Sequence, residues 1–223
     1  MKLLAIDTAT EACSAALYLD GEIRLRYEDA PRLHAKLILG MADELLDEAG
    51  YSLAQLDALA IGHGPGSFTG VRIGMGVAQG MAMGADLGLI GVSDLAAVAQ
   101  AMVDQGRGKS VAVAFDARMD EVYWGCYRRA DDGLVVLAGE ECVAPPEAVK
   151  LPDASNDWVG AGRGWAAYAD RFREITRSVN VVDADGLPSA EQVAKLAVRG
   201  EPMPAENVLP VYLRDQVAWK KSG

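Results

Sequence analysis

The densest run of residues able to do chemistry is Gly62-His63-Gly64-Pro65-Gly66-Ser67-Phe68-Thr69-Gly70. Glycines between a strand and a helix permit positive φ and close backbone approach, and the free amides of a helix start can hold an anion. A phosphate site is one reading, and a tight turn with Ser67 or Thr69 as helix N-cap is the other. The Gly-Lys-Ser/Thr of a P-loop is missing, which argues against a Walker-type nucleotide site. Asp7-Thr8-Ala9-Thr10 stands where a strand turns into a hairpin. Such a turn can bring a carboxylate to a metal-bound phosphate, although local side-chain-to-backbone bonding is the commoner reason for it. Asp116-Ala117-Arg118 repeats the arrangement later, where Asp and Arg can also simply pair. Asp7, Thr8 and Asp116 are thus the candidates for holding a magnesium nucleotide.

Other catalytic constellations are harder to assemble. His34 and His63 lie 29 residues apart with no HxxxH, HxH or carboxylate cluster around them, so neither reads as a metal ligand. Cys13, Cys126 and Cys142 lack CxxC spacing and sit among apolar or aromatic neighbours, the pattern of core thiols in a reducing compartment. The 21 basic residues face 32 acidic ones for a net charge of −11. This balance argues against a chain that grips phosphate backbones unaided, and the expectation from net charge is a nucleic-acid role shared with a basic partner.

These residues need a frame. With 223 residues and 51% hydrophobic content, there is material for one large domain or two small lobes and a real core. Apolar runs mark strands at 2–6, 13–19 and 22–28, the last two joined by Asp20-Gly21, a hairpin signal. A helical pattern over 33–49 ends at Gly50; a buried strand at 58–62 leads through the glycine turn to a helix reaching about residue 85; a strand at 87–92 and a helix at 95–103, capped by Ser93 or Asp94, follow. Residues 105–109 make the best linker. Beyond it, 111–116 echoes 3–7, and 122–127 and 134–143 echo the next two strands; 158–160, 165–172, 179–182 and 190–198 alternate strand and helix less clearly. The working model is an α/β protein of two tandem βββαβα lobes, residues 1–106 and 107–223. Residues 73–92 are apolar but hold Gln79, Asp86 and six glycines, so no membrane span is expected. The first apolar run meets Asp7 too early for an export signal, and the cytoplasm is the expected compartment.

Both early helices carry surplus apolar surface. From 68 to 85 only Thr69, Arg72 and Gln79 are polar, and Gly66, Gly70, Gly74 and Gly76, Gly80, Gly84 form two rows at four-residue spacing. Each interior glycine costs about 1 kcal/mol against alanine, so close approach by another backbone must offset it. In the first helix the apolar positions spread beyond the ~100° stripe that one core face needs. A helix-packed interface with another chain is one explanation, and a well-buried pair inside one lobe is the other.

Leu4-Ala5-Ile6-Asp7-Thr8-Ala9-Thr10-Glu11-Ala12-Cys13-Ser14, Gly64-Pro65-Gly66-Ser67-Phe68-Thr69-Gly70-Val71-Arg72, Asp116-Ala117-Arg118-Met119 with Glu121-Val122-Tyr123, and Pro210-Val211-Tyr212-Leu213-Arg214 together resemble the bacterial TsaB (YeaZ) family over nearly the whole chain. The resemblance implies a two-lobed actin-like (ASKHA) fold and a non-catalytic subunit of the machinery that makes threonylcarbamoyladenosine in tRNA. It implies pairing with the related catalytic subunit TsaD, contact with the ATPase TsaE through that complex, a homodimer when alone, and tRNA met mainly through the complex. It implies no cofactor of its own and leaves open ATP or ADP at the partner interface. The catalytic relative holds its metal with an HxxxH pair, and Asp94 and Val98 occupy the matching positions here; Val cannot ligate a metal. Pairing through the first two helices points to Leu37, Met41, Leu45, Arg72, Met75, Gly76, Gln79, Gly80 and Met83 as contacts. The rival reading is an actin-like ATPase or small-molecule kinase with nucleotide between the lobes.

Overall fold

The computed structural model describes residues 1–154 and 157–214. It opens with three antiparallel strands, β1 (Lys2–Asp7), β2 (Ala12–Leu19) and β3 (Glu22–Asp29). Asp20 and Gly21, both at positive φ, form the hairpin between β2 and β3, as a tight two-residue turn requires. α1 (His34–Ala49) stops at Gly50 in the left-handed conformation, φ 69°. β4 (Ala58–Gly62), α2 (Phe68–Ala85), β5 (Leu89–Val92) and α3 (Asp94–Asp104) follow. Ser67 and Ser93 cap α2 and α3, accepting from the Gly70 and Ala96 amides at 3.3 Å each. β4 lies parallel to β1 and β5 parallel to β4, giving the order β3-β2-β1-β4-β5.

The second half comprises β6 (Ser110–Arg118), β7 (Glu121–Arg129), β8 (Val135–Leu137), β9 (Cys142–Ala144), β10 (Trp158–Ala161), α4 (Gly164–Ala167), β11 (Val179–Asp183) and α5 (Ala190–Ala197). Its order β11-β10-β6-β7-β8 traces the same path as the first sheet, with β6 in the place of β1. The repeat is therefore topological as well as sequential. It is also imperfect. The expected strand over 134–143 is split into β8 and β9, both paired to β7, with Gly139 at φ 106° between them. The helix expected over 165–172 shortens to α4 and a single 3-10 turn.

Parallel strands are stable when both faces are covered, and five layers achieve this. On the outer face of the first sheet, Ile38, Leu45, Met75 and Ala78 of α1 and α2 meet Leu4, Ile6, Leu59 and Ile61. On its inner face, Leu3, Ala5 and Ala60 meet Val193, Ala194 and Ala197 of α5. α3 covers the second sheet, with Leu95, Val98 and Met102 against Val111 and Val113. Trp124, Trp158, Trp165 and Phe172 fill the far face. The boundary at 106/107 thus separates the sheets, whereas the packing runs across it, because each sheet is completed by a helix from the other half. Lys195 fastens the two central helices, with Nζ 2.7 Å from Asp104 and 2.8 Å from Glu191.

Candidate functional site

Asp7 ends β1 at 1% exposure and Asp94 opens α3 at 0%. Asp7 Oδ1 accepts from the Ala9 amide at 2.8 Å, Asp94 Oδ2 accepts from the Gly64 amide, and the Asp94 amide donates back to the Gly64 carbonyl at 3.0 Å. The two remaining oxygens, Asp7 Oδ2 and Asp94 Oδ1, lie against Gly62, where any Cβ would overlap the latter. Neither of these oxygens has a hydrogen-bond partner elsewhere, and two buried carboxyls side by side satisfy both by sharing one proton. Burial raises the pKa of both, and the Asp7 charge pushes Asp94 further up, so Asp94 keeps the proton and Asp7 carries the charge.

Thr8 is committed in the same way, its hydroxyl donating to the Gly70 carbonyl at 2.8 Å. Gly66, Gly70 and Gly74 sit directly on the Ala9 carbonyl, the Thr8 carbonyl and the Thr8 hydroxyl, leaving no room for a Cβ. The inner glycine row thus brings α2 down onto the β1–β2 turn. This corrects the expectation that Asp7 and Thr8 face a nucleotide. Both are sealed beneath the glycine loop, and neither lines the space between the lobes.

That space is a cleft of about 940 Å³. Asp116 does line it, held by the Tyr168 hydroxyl at 2.9 Å and by Arg118, 3.0 Å away. Arg72 lies 3.4 Å from the Phe68 ring centroid and donates through Nε to the Tyr212 hydroxyl at 2.8 Å, so its guanidinium is held by both rings. The Val211 amide bonds the His63 carbonyl at 2.8 Å and Arg214 pairs with Glu121, so residues 211–214 strap one lobe to the other. Arg163 pairs with Glu11 at 3.2 Å across the same gap. Arg32, Arg118, Arg163 and Arg214 join Arg72 in the lining. Sequence reasoning missed this group because its members are scattered from residue 32 to residue 214. The local signals were the Gly64-Pro65-Gly66-Ser67-Phe68-Thr69-Gly70-Val71-Arg72, Asp116-Ala117-Arg118 and Pro210-Val211-Tyr212-Leu213-Arg214 motifs, none of which tells that their arginines meet.

Of the nine residues expected at an interface, Arg72 is taken up by the cleft, bound to Phe68 and Tyr212, a correction to its expected role, and the other eight divide. Met41, Leu45 and Met75 are buried in the core of their own lobe. Their helical spacing turns them toward the sheet, so they fix α1 and α2 in place and offer no docking surface, a correction to their expected role. Gln79 spends its amide on the carbonyls of Ala205 and Val208, at 3.1 and 3.0 Å. Leu37 is half-buried, whereas Gly76, Gly80 and Met83 are exposed, Met83 to 66%. A Cβ on Gly76, Gly80 or Gly84 would meet nothing within 4 Å. The outer glycine row therefore serves no packing among the described residues.

A family model described as TsaD: tRNA N6-adenosine threonylcarbamoyltransferase matches residues 27–222. The tRNA threonylcarbamoyladenosine biosynthesis protein TsaB of Escherichia coli (strain K12) is 45% identical over 99% of this chain and 98% of its own length. Its namesake in Haemophilus influenzae is 42% identical over 99% and 97%. A solved structure titled as YeaZ from Pseudomonas aeruginosa superposes with a TM-score of 0.85 at 49% identity, covering 95% of this chain and 99% of that one. A second from that organism, titled as similar to peptidase YEAZ, reaches 0.89 at 50% identity over 96% and 99%. The shared sheet path, the motif-bearing turns and these full-length likenesses agree, and the chain belongs to the TsaB (YeaZ) family.

Proposed function

We propose that this chain is a non-catalytic subunit for making threonylcarbamoyladenosine in tRNA, and that it docks onto the catalytic subunit TsaD through the outer faces of α1 and α2. The outer glycine row carries the reading. Three glycines at helical spacing cost about 1 kcal/mol each, and the fold of this chain does not need them. A helix backbone approaching from another molecule does. At the positions matching the HxxxH pair, Asp94 is committed to Asp7 and Gly64, and Val98 is core, a donor set unsuited to a transferase metal. TsaE would be met through that complex, tRNA mainly so, and the chain alone would pair with itself. We place it in the cytoplasm, and among the described residues no helix is long and apolar enough to cross a membrane. A nucleotide-hydrolysing role is less well supported, because Asp7 and Thr8 are spent on internal bonds.

The test is size-exclusion chromatography with light scattering of the chain mixed with TsaD. Gly80→Leu should abolish co-elution while the variant stays folded, and a retained complex would refute the docking face. The chain without TsaD should leave tRNA unmodified when given threonylcarbamoyl-adenylate, and turnover by the chain alone would refute the accessory role.

A further inference from the structure

The interlobe cleft is positive on an otherwise acidic molecule. Five arginines line it against two carboxylates, Glu11 and Asp116, while the whole chain carries −11. Arg32 and Arg72 have no carboxylate partner among the described residues. His34, at the start of α1, lines the same cleft with its Nε2 buried and unpartnered. Among the described residues, six non-glycine residues have positive φ: Asp20, Arg32, Asp86, Arg118, Met119 and Asp120. Aspartate tolerates that conformation, but arginine and methionine do not adopt it without strain. The three that are not aspartate, Arg32, Arg118 and Met119, all line the cleft. Arg118 and Met119 owe that conformation to the tight turn between β6 and β7, which leaves both at the edge of this space.

Its aromatic wall has a matching chemistry. Phe68 and Tyr212 are 59% and 49% exposed, their ring centroids 6.2 Å apart, with Arg72 held between them. Arginine with exposed rings is the combination that takes a base by its face and a phosphate by charge. The volume suits a single nucleotide. A magnesium polyphosphate does not fit the donors, since Asp7 and Thr8 are sealed away and Asp116 is held by Arg118 and Tyr168. Dispersed guanidiniums suit singly charged phosphodiesters.

We propose that the cleft binds one nucleotide of a single-stranded RNA segment, its base against Phe68 and Tyr212 and its phosphates against the arginines. The choice of RNA rests on the tRNA reading above, and the acidic remainder of the surface confines the strand to this groove. The experiment is a fluorescence-anisotropy titration of a short labelled single-stranded RNA with the full chain, at low and at physiological salt. Expected are saturable binding, a log–log salt slope of about −0.7 per phosphate held, and about tenfold weakening by either Phe68→Ala or Arg72→Ala. Arg24→Ala, on the edge strand β3, should change nothing, and thermal melts should show each variant folded. Photocrosslinks from thiouridine-bearing RNA should map to Phe68 or Tyr212. Absence of saturable binding, or crosslinks on another face, overturns the proposal. Tighter competition by ATP would assign the cleft to free nucleotides, and tighter competition by an acidic peptide to a protein segment; either also overturns it. A chain that co-elutes with TsaD yet ignores RNA would lose only this inference, whereas one that binds RNA but not TsaD would lose only the docking role.

Discussion

Asp94 keeps its proton because it is buried beside an ionised neighbour, and the linkage to stability follows from that. Carboxyls whose pKa rises above the ordinary 3.8 on folding contribute stability that is full below that value and is lost as pH rises through the folded value. The pair should therefore weaken the fold from mildly acidic toward alkaline pH. Asp94→Asn keeps a carbonyl oxygen for the Gly64 amide and supplies a permanent N–H donor to Asp7. We expect the variant to gain about 1 kcal/mol on the wild type at alkaline pH, read from urea unfolding across the pH range, and parallel pH profiles would refute the shared proton. Gly62 makes a steric prediction beside it. With a carboxylate where its Cβ would stand, Gly62→Ala should cost about 1–3 kcal/mol in the same assay.

At the scale of the element, α2 carries two glycine rows with opposite requirements. The inner row cannot accept a Cβ, and the outer row can accept one without any contact. Gly80→Ala should therefore raise the stability of the monomer, at a concentration low enough to dissociate any self-pairing, by up to about 1 kcal/mol, whereas Gly70→Ala should destabilise it by a similar or larger amount. A thermal melt of each variant decides this. Equal losses at both positions would show that the outer row is packed in the free protein, contrary to the structure.

Over the whole molecule, the exchange of helices ties the lobes together. α5 follows the second sheet in sequence but covers the first, where Val193, Ala194 and Ala197 shield Leu3, Ala5 and Ala60. A fragment ending at residue 106 would expose that apolar face, and it would leave α3 without the sheet it packs on. It should be aggregated or unfolded, as judged by circular dichroism and NMR dispersion, although its sheet is complete. A folded fragment would show that the inner face needs no cover.

The sequence by itself determined most of the strands, the capped helix starts to within two residues (Ser67 or Thr69, Ser93 or Asp94), the glycine turn and the duplicated sheet, because short-range periodicity and turn chemistry encode these locally. The same glycine spacing was legible too, but not which row faces inward, since that depends on the Thr8–Ala9 backbone more than fifty residues away. Only the tertiary structure placed Met41, Leu45 and Met75 in the core, retired Asp7 and Thr8 from the cleft, and gathered its five arginines. Residues remote in the chain become neighbours only when the two sheets and their exchanged helices close on one another, and side-chain type carries no record of that meeting.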